Sequence, residues 1–178
     1  YHPLPDDIIQ PAVSPYLRSR GIPDDVQRRV GVGKGKYVGF TAIPWRRPDG
    51  RIMNVMYRST RGKKFFYEPE ACPISKLVWG IDLIYEDNAR EVVVCEAPID
   101  AMSWMAAGVH AIAVGGATIS KEQADIIRRS PITSIILGGD NDGSGRKLNE
   151  QVRRKLGRMY RYKDINFGKY KDANDVLV

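Results

Sequence analysis

After Arg90 the chain falls into an alternation that few folds can satisfy. Three short apolar runs, Glu91-Val92-Val93-Val94-Cys95, Ala111-Ile112-Ala113-Val114 and Thr133-Ser134-Ile135-Ile136-Leu137, read as strands covered on both faces. Between and after them, Ala101 to Gly108, Ser120 to Arg129 and Ser144 to Leu156 suit helices, and Arg158 to Ile165 reads as a fourth strand. Strands joined through helices of this length need right-handed crossovers, which build a parallel sheet with helices on both faces. The expected fold class is α/β.

The first 90 residues have a different character. Prolines and glycines recur from Pro3 to Pro73 and leave room only for short elements. Asp24-Asp25-Val26-Gln27-Arg28-Arg29-Val30 carries acids at its start and bases at its end, which complements a helix dipole, and Gly31 is a natural stop. An Asp49-Gly50 turn before the alternating run to Arg58 reads as a hairpin. We divide the chain into a small basic α+β part, 1–88, and an α/β part, 89–178.

Net charge is +7, and its distribution is uneven. From Arg18 to Lys64 there are 13 Lys and Arg against 3 Asp and Glu. This concentration favours a polyanionic partner such as nucleic acid, nucleotide or an acidic membrane surface; a solvated basic face is the plain alternative. No apolar run approaches the roughly 18 residues of a bilayer span, and the N-terminus has no signal-peptide pattern, so a cytoplasmic protein with no membrane partner is expected. The chain opens on Tyr1, as a piece of something longer would. Cys72 and Cys95 stand apart from each other and from His2 and His110, a spacing that does not suit zinc.

In an open parallel sheet, ligands gather beyond the carboxyl ends of the strands. Glu96 directly follows the first strand, and Asp140 and Asp142 follow the third after Gly138-Gly139. Two carboxylates one residue apart in a glycine-flanked loop can face one centre, and hard oxygen donors suit Mg²⁺ or Mn²⁺. Asx residues also cap helices for local reasons, so this loop alone decides little. With Glu96 and with Asp100 one turn beyond it, the group carries enough like charge to favour a cation. Asp172 in Lys171-Asp172-Ala173-Asn174-Asp175 is a further candidate carboxylate, and Asp175 reads as a polar cap of a final helix.

Three ordered motifs resemble a TOPRIM domain, the metal-binding fold shared by bacterial DnaG-type primases, type IA and type II topoisomerases and several nucleases. They are Val93-Val94-Cys95-Glu96-Ala97-Pro98-Ile99-Asp100, Val114-Gly115-Gly116 and Asp140-Asn141-Asp142-Gly143-Ser144-Gly145-Arg146-Lys147. The front half resembles the basic subdomain of a DnaG-type primase core, phage or mobile-element type, in Tyr16-Leu17-Arg18-Ser19-Arg20-Gly21-Ile22, Ile43-Pro44, Asp49-Gly50-Arg51, Tyr57-Arg58 and Lys64-Phe65-Phe66-Tyr67. Ala97, Gly116 and Asn174 depart from the common pattern.

The resemblance implies a DNA primase core that makes primers on single-stranded DNA in replication, using Mg²⁺ or Mn²⁺. Glu96 would be the acid/base or metal-orienting residue, with Asp140 and Asp142 as principal ligands and Asp100 and Asp172 as further ones. Arg51, Arg58, Lys64 and Lys76 would hold template phosphates or the incoming nucleoside triphosphate, and each taken singly is also readable as a solvated surface charge. A replicative helicase is the implied partner, and a zinc ribbon in the parent chain would precede this piece. Trp45, Phe65, Phe66 and Tyr67 are expected in the core rather than as base-stacking platforms. A TOPRIM nuclease and a catalytically silent nucleic-acid-binding module are the alternatives.

Overall fold

The computed structural model describes residues 1–165 and Asn174. The first part is built on an antiparallel sheet of five strands in sequence order, β1 (Gln10–Pro11), β2 (Gly33–Lys34), β3 (Phe40–Arg46), β4 (Ile52–Ser59) and β5 (Phe65–Tyr67). Two short helices, α1 (Pro15–Ser19) and α2 (Asp24–Val30), stand between β1 and β2. Helix α2 ends where the charge pattern predicts, at Gly31, whose φ of 85° is the left-handed conformation of a helix stop. The expected hairpin is β3–β4, turning through Asp49-Gly50.

Pro44 sits in β3 opposite Val55, yet the Val55 carbonyl accepts from Glu68 N at 2.9 Å on the other side of β4. The Pro44–Val55 pair therefore needs no N–H from Pro44. Within β3, strand β2 pairs only with Thr41 and Ala42, so among the described residues no strand lies beside Pro44 on its other edge.

A third helix, α3 (Ile81–Asp87), not foreseen from the sequence, closes the first part, and the second alternates as expected: β6 (Glu91–Cys95), α4 (Pro98–Ala106), β7 (Ala111–Ala113), α5 (Lys121–Arg129), β8 (Ser134–Leu137), α6 (Gly143–Leu156) and β9 (Arg161–Asp164). Its four strands are parallel in the order β7-β6-β8-β9. Helix α4 starts three residues before the expected Ala101, because Pro98 at the first helical position needs no hydrogen-bond acceptor for a missing N–H. Ser120 and Gln123 form a reciprocal capping box that starts α5. Strand β9 is shorter than the expected run, since Gly157–Met159 form a 3₁₀ turn.

The parallel sheet separates two cores by strand parity. Val93 and Cys95 of β6 and Ala111 and Ala113 of β7 face one side, where they meet Met102 of α4. Val92, Val94 and Ile112 face the other, against Ile84 of α3, Ile127 of α5 and Leu148, Val152 and Leu156 of α6. The first side also contains Leu17, Ile22 and Val26 from the N-terminal helices and Ile43, Trp45 and Met56 from the antiparallel sheet. One apolar core thus carries residues from both sides of position 88. The two parts are joined again at an antiparallel bridge, in which Trp79 and Ala113 exchange backbone hydrogen bonds of 2.9 and 3.1 Å. No described helix is long and apolar enough to cross a membrane.

Candidate active site and nucleic-acid cleft

Strand β6 delivers Glu96 to the carboxyl edge of the parallel sheet, and β8, its neighbour, delivers the Asp140–Asp142 loop to the same edge. The Glu96 carbonyl accepts from Gly115 N at 2.7 Å, which ties the ends of β6 and β7 together. Gly115 has a φ of 88°, and a Cβ there would stand 2.5 Å from Ile74 Cδ1 and 3.2 Å from the Trp45 ring. Only glycine fits that corner.

The Asp140–Asp142 loop is folded tightly onto the first turn of α6. Asp142 is the N-cap: its Oδ1 accepts from Gly145 N at 2.7 Å, and its backbone N donates to Asp140 O at 2.8 Å. A Cβ on Gly145 would lie 1.7 Å from Asp140 O, so the helix reaches the loop only because position 145 has no side chain. Asn149, one turn further on, accepts from Gly139 N at 2.9 Å through its Oδ1. Ser144 then joins the two strand ends, donating from Oγ to Glu96 Oε2 at 3.0 Å.

Asp100 is 7% exposed in the first turn of α4, where a carboxylate also complements the helix dipole. Among the described residues no three His, Cys, Asp or Glu side chains are gathered closely enough to hold a metal ion. The donor set itself fits a hard divalent cation, being all carboxylate oxygen at adjacent strand ends. In the conformation described, Asp142 caps α6 and Glu96 accepts from Ser144. Asp172 and Asp175 lie outside the described residues.

Glu96 and Asp100 line a cleft of about 550 Å³ with Ala97, Pro98, Ile99, Gly115 and Gly116 on one wall. The facing wall is Arg20 of the segment after α1, Met56 and Arg58 of β4, Lys63 of the β4–β5 turn, and Phe65 and Tyr67 of β5. Strand parity explains this wall: Arg58 pairs with Phe65 and Met56 with Tyr67, so all four side chains share one face of the sheet. The intervening Tyr57 and Phe66 turn to the opposite face and pack with Tyr37 and Phe40.

Tyr16 organises the cations. Its ring lies under both guanidinium groups, 5.8 Å from Arg20 and 5.5 Å from Arg58. Arg20 also donates from Nη1 to the Tyr16 hydroxyl at 2.7 Å and from Nε to Asn174 Oδ1 at 2.5 Å. Asn174 returns two bonds from Nδ2, to Arg20 O at 2.7 Å and to Ser103 Oγ at 3.1 Å. Arg58 is fixed by donating to Gly62 O at 2.6 Å. Burial pushes the Tyr67 phenol up to about 12, so this cleft residue stays protonated at neutral pH.

Of the sequence-predicted residues, the cleft brings together Glu96, Asp100 and Arg58. Asp140 and Asp142 reach Glu96 through Ser144 and the shared sheet edge rather than by lining this cleft. Lys64 is exposed in the β4–β5 turn, where its carbonyl accepts from Ser59 N, and its neighbour Lys63 is the lining residue. Lys76 ends the Ile74–Lys76 3₁₀ turn with its Nζ 5.3 Å from the Tyr1 ring centre. Arg51 lies in the β3–β4 turn, at the other end of β4 from Arg58.

Trp45 is fully buried, and Phe66 and Tyr67 are partly so, as the core assignment predicts. Phe65 corrects that assignment: it is 54% exposed, because its place opposite Arg58 turns it into the cleft rather than toward the outer cluster. The residues missed from sequence are Arg20, Lys63, Tyr16 and Ser144. The four-residue spacing of Tyr16 and Arg20 is the signal that a ring and a cation share a helix face.

Residues 93–177 match the model of the Toprim-like family. This stretch is similar to a Toprim-like domain. The whole architecture, including the antiparallel part, is found again in the Aquifex aeolicus primase comprising zinc-binding and RNA polymerase domains, with a TM-score of 0.76 and 16% identity over 91% of this chain and 51% of that one. The primase fragment of the bacteriophage T7 primase-helicase protein superposes with a TM-score of 0.74 and 23% identity, over 89% of this chain and 67% of that one. In sequence, the uncharacterized protein MG010 of Mycoplasma genitalium is 28% identical over 79% of this chain and 67% of its own length. The chain has the fold of a DnaG-type primase catalytic core, and it spans about half the length of the Aquifex protein it resembles.

Proposed function

We propose that this chain is the catalytic core of a primase-type nucleotidyltransferase, which joins nucleotides on a single-stranded DNA template. The observation that carries the reading is the cleft itself: the strand-end acid Glu96 and the helical acid Asp100 share one opening with Arg20, Arg58 and Lys63. A polyanion bound to those cations would lie against the carboxylates, which is the arrangement needed to bring phosphates to a cation site. Recurrence of both parts of the chain in primase cores, rather than the Toprim-like part alone, supports primase over the other users of this domain.

Glu96, Asp140 and Asp142, with Asp100, would hold Mg²⁺ or Mn²⁺, and Asp172 is retained as a further carboxylate by resemblance. When bound, the ion supplies charge neutralisation on the transferring phosphates. Arg58 and Arg20 offer planar forks for bidentate phosphate contact, already oriented by Tyr16 and Asn174, whereas Lys63 offers a point charge. Lys64 would extend the basic surface from the same turn. Lys76 and Arg51 do not line the cleft and hold no strand phosphate in this reading. Glu96 is the candidate for taking the proton of the attacking hydroxyl, since its carboxylate is in the cleft. A zinc-binding module and a helicase, both present in the names of the structural relatives, are the proposed companions of the parent protein.

Labelled nucleotide incorporation on a single-stranded template, with and without an annealed primer, tests the reading. Metal-dependent incorporation supports it. Strand scission without incorporation would make the protein a nuclease, and binding without either would make it a silent module.

A further inference from the structure

Phe65 is an exposed aromatic side chain on a wall that otherwise presents cations. It is 54% exposed, whereas its strand neighbours Phe66 and Tyr67 are partly buried. Its register partner is Arg58, and Arg20, Arg58 and Lys63 line the same cleft as the exposed ring. Tyr67 stands edge-on to Phe65, with ring centres 6.1 Å apart and planes at 83°, which buttresses the ring from the side. A solitary exposed phenylalanine on an open surface needs no explanation. One aimed into a 550 Å³ cleft beside Arg20, Arg58 and Lys63 is different, because the cations attract phosphate and leave the ring in contact with whatever the phosphates carry.

We infer that Phe65 is the base-stacking platform of the cleft, holding one unpaired base of a single-stranded nucleic acid while Arg58, Arg20 and Lys63 hold the flanking phosphates. This deepens the proposed function and rests on it. An aromatic face accepts any base, so the contact positions the strand without reading its sequence. The backbone requires no change, since Phe65 stands on a paired strand and Arg58 is already anchored by Gly62 and Tyr16.

The test compares the full chain with Phe65→Ala and Phe65→Trp, using fluorescent oligo(dT) and an abasic oligodeoxynucleotide of the same length and charge. The parent should bind oligo(dT) about tenfold more tightly than the abasic strand, as expected for one stacked base. Phe65→Ala should bind both alike, at the abasic level and with an unchanged salt slope. Phe65→Trp should keep the preference, and the emission that its new indole adds should be quenched by oligo(dT) and not by the abasic strand. A preference that survives Phe65→Ala, or an added indole emission in Phe65→Trp that is indifferent to oligo(dT), would overturn the platform while leaving the cleft as the binding site. Failure of the parent to bind either strand at low salt would overturn both this inference and the cleft reading.

Discussion

Ser144 donates its hydroxyl to Glu96 at 3.0 Å, joining the first turn of α6 to the end of β6. The bond spans two neighbouring strand ends and fixes one carboxylate oxygen of Glu96 relative to the Asp140–Asp142 loop. If Glu96 helps hold a cation, Ser144 is a positioning residue for it. Ser144→Ala should weaken Mn²⁺ binding by about tenfold, and Ser144→Thr, which keeps the hydroxyl, by less. Direct Mn²⁺ titration followed by electron paramagnetic resonance measures this, and equal affinities in all three proteins would remove Ser144 from the site.

Gly145 allows the loop to reach the helix. Gly145→Ala places a methyl group 1.7 Å from a backbone carbonyl, which no rotamer can relieve. The substitution should cost more than about 2 kcal/mol in denaturant unfolding, whereas Gly143→Ala, with open space around its Cβ, should change stability much less. Similar losses at both positions would show that helix propensity, not the loop contact, sets the cost.

The basic wall predicts a division among the cations. Replacing Arg58 and Lys63 together should lower the salt slope of single-strand binding by about 1.4, roughly 0.7 for each lost phosphate contact. Arg51→Ala should leave the slope nearly unchanged, because Arg51 lies at the far end of β4. An equal effect of Arg51 would move the strand path out of the cleft and onto the β3–β4 turn.

Asp87 joins the two parts of the chain, accepting from Arg29 Nη2 at 2.6 Å and lying 2.8 Å from His110 Nε2. The Arg29 contact first, and His110 second, hold its carboxyl below the usual carboxylate range. A lowered acid contributes stability above its unfolded value, near pH 4, and loses it as the pH falls through the lower folded value. Asp87→Asn should reduce stability at pH 7 by about 1 kcal/mol or less, as befits a partly exposed pair, and the difference should shrink below about pH 4. Thermal unfolding of both proteins from pH 7 to pH 3 checks the trend, and a gap that widens on acidification would contradict it.

The second half was legible because its signals are periodic. Val92 to Cys95 and Ala111 to Val114 are apolar on both faces, and a buried parallel strand requires that. The acids were legible because they sit at the ends of those strands. The cleft wall was not, since it depends on the parity of β4 and β5 and on their register, which pairs Arg58 with Phe65. Nothing within the run Lys63-Lys64-Phe65-Phe66-Tyr67 says which lysine or which ring faces inward; the three-residue length of β5 is too short for alternation to show. Strands β1 and β2, at two residues each, escaped for the same reason. Arg20 was hidden differently: its setting depends on Asn174, 154 residues away.

The most direct test of the account is nucleotide incorporation by this chain on a primed single-stranded template in Mg²⁺ or Mn²⁺, set beside Glu96→Gln and the double substitution Asp140→Asn with Asp142→Asn. The account predicts primer extension by the unsubstituted chain, weaker synthesis when no primer is supplied, and loss of extension by at least about a hundredfold in both variants while single-strand binding persists. Extension that survives in both variants would contradict it.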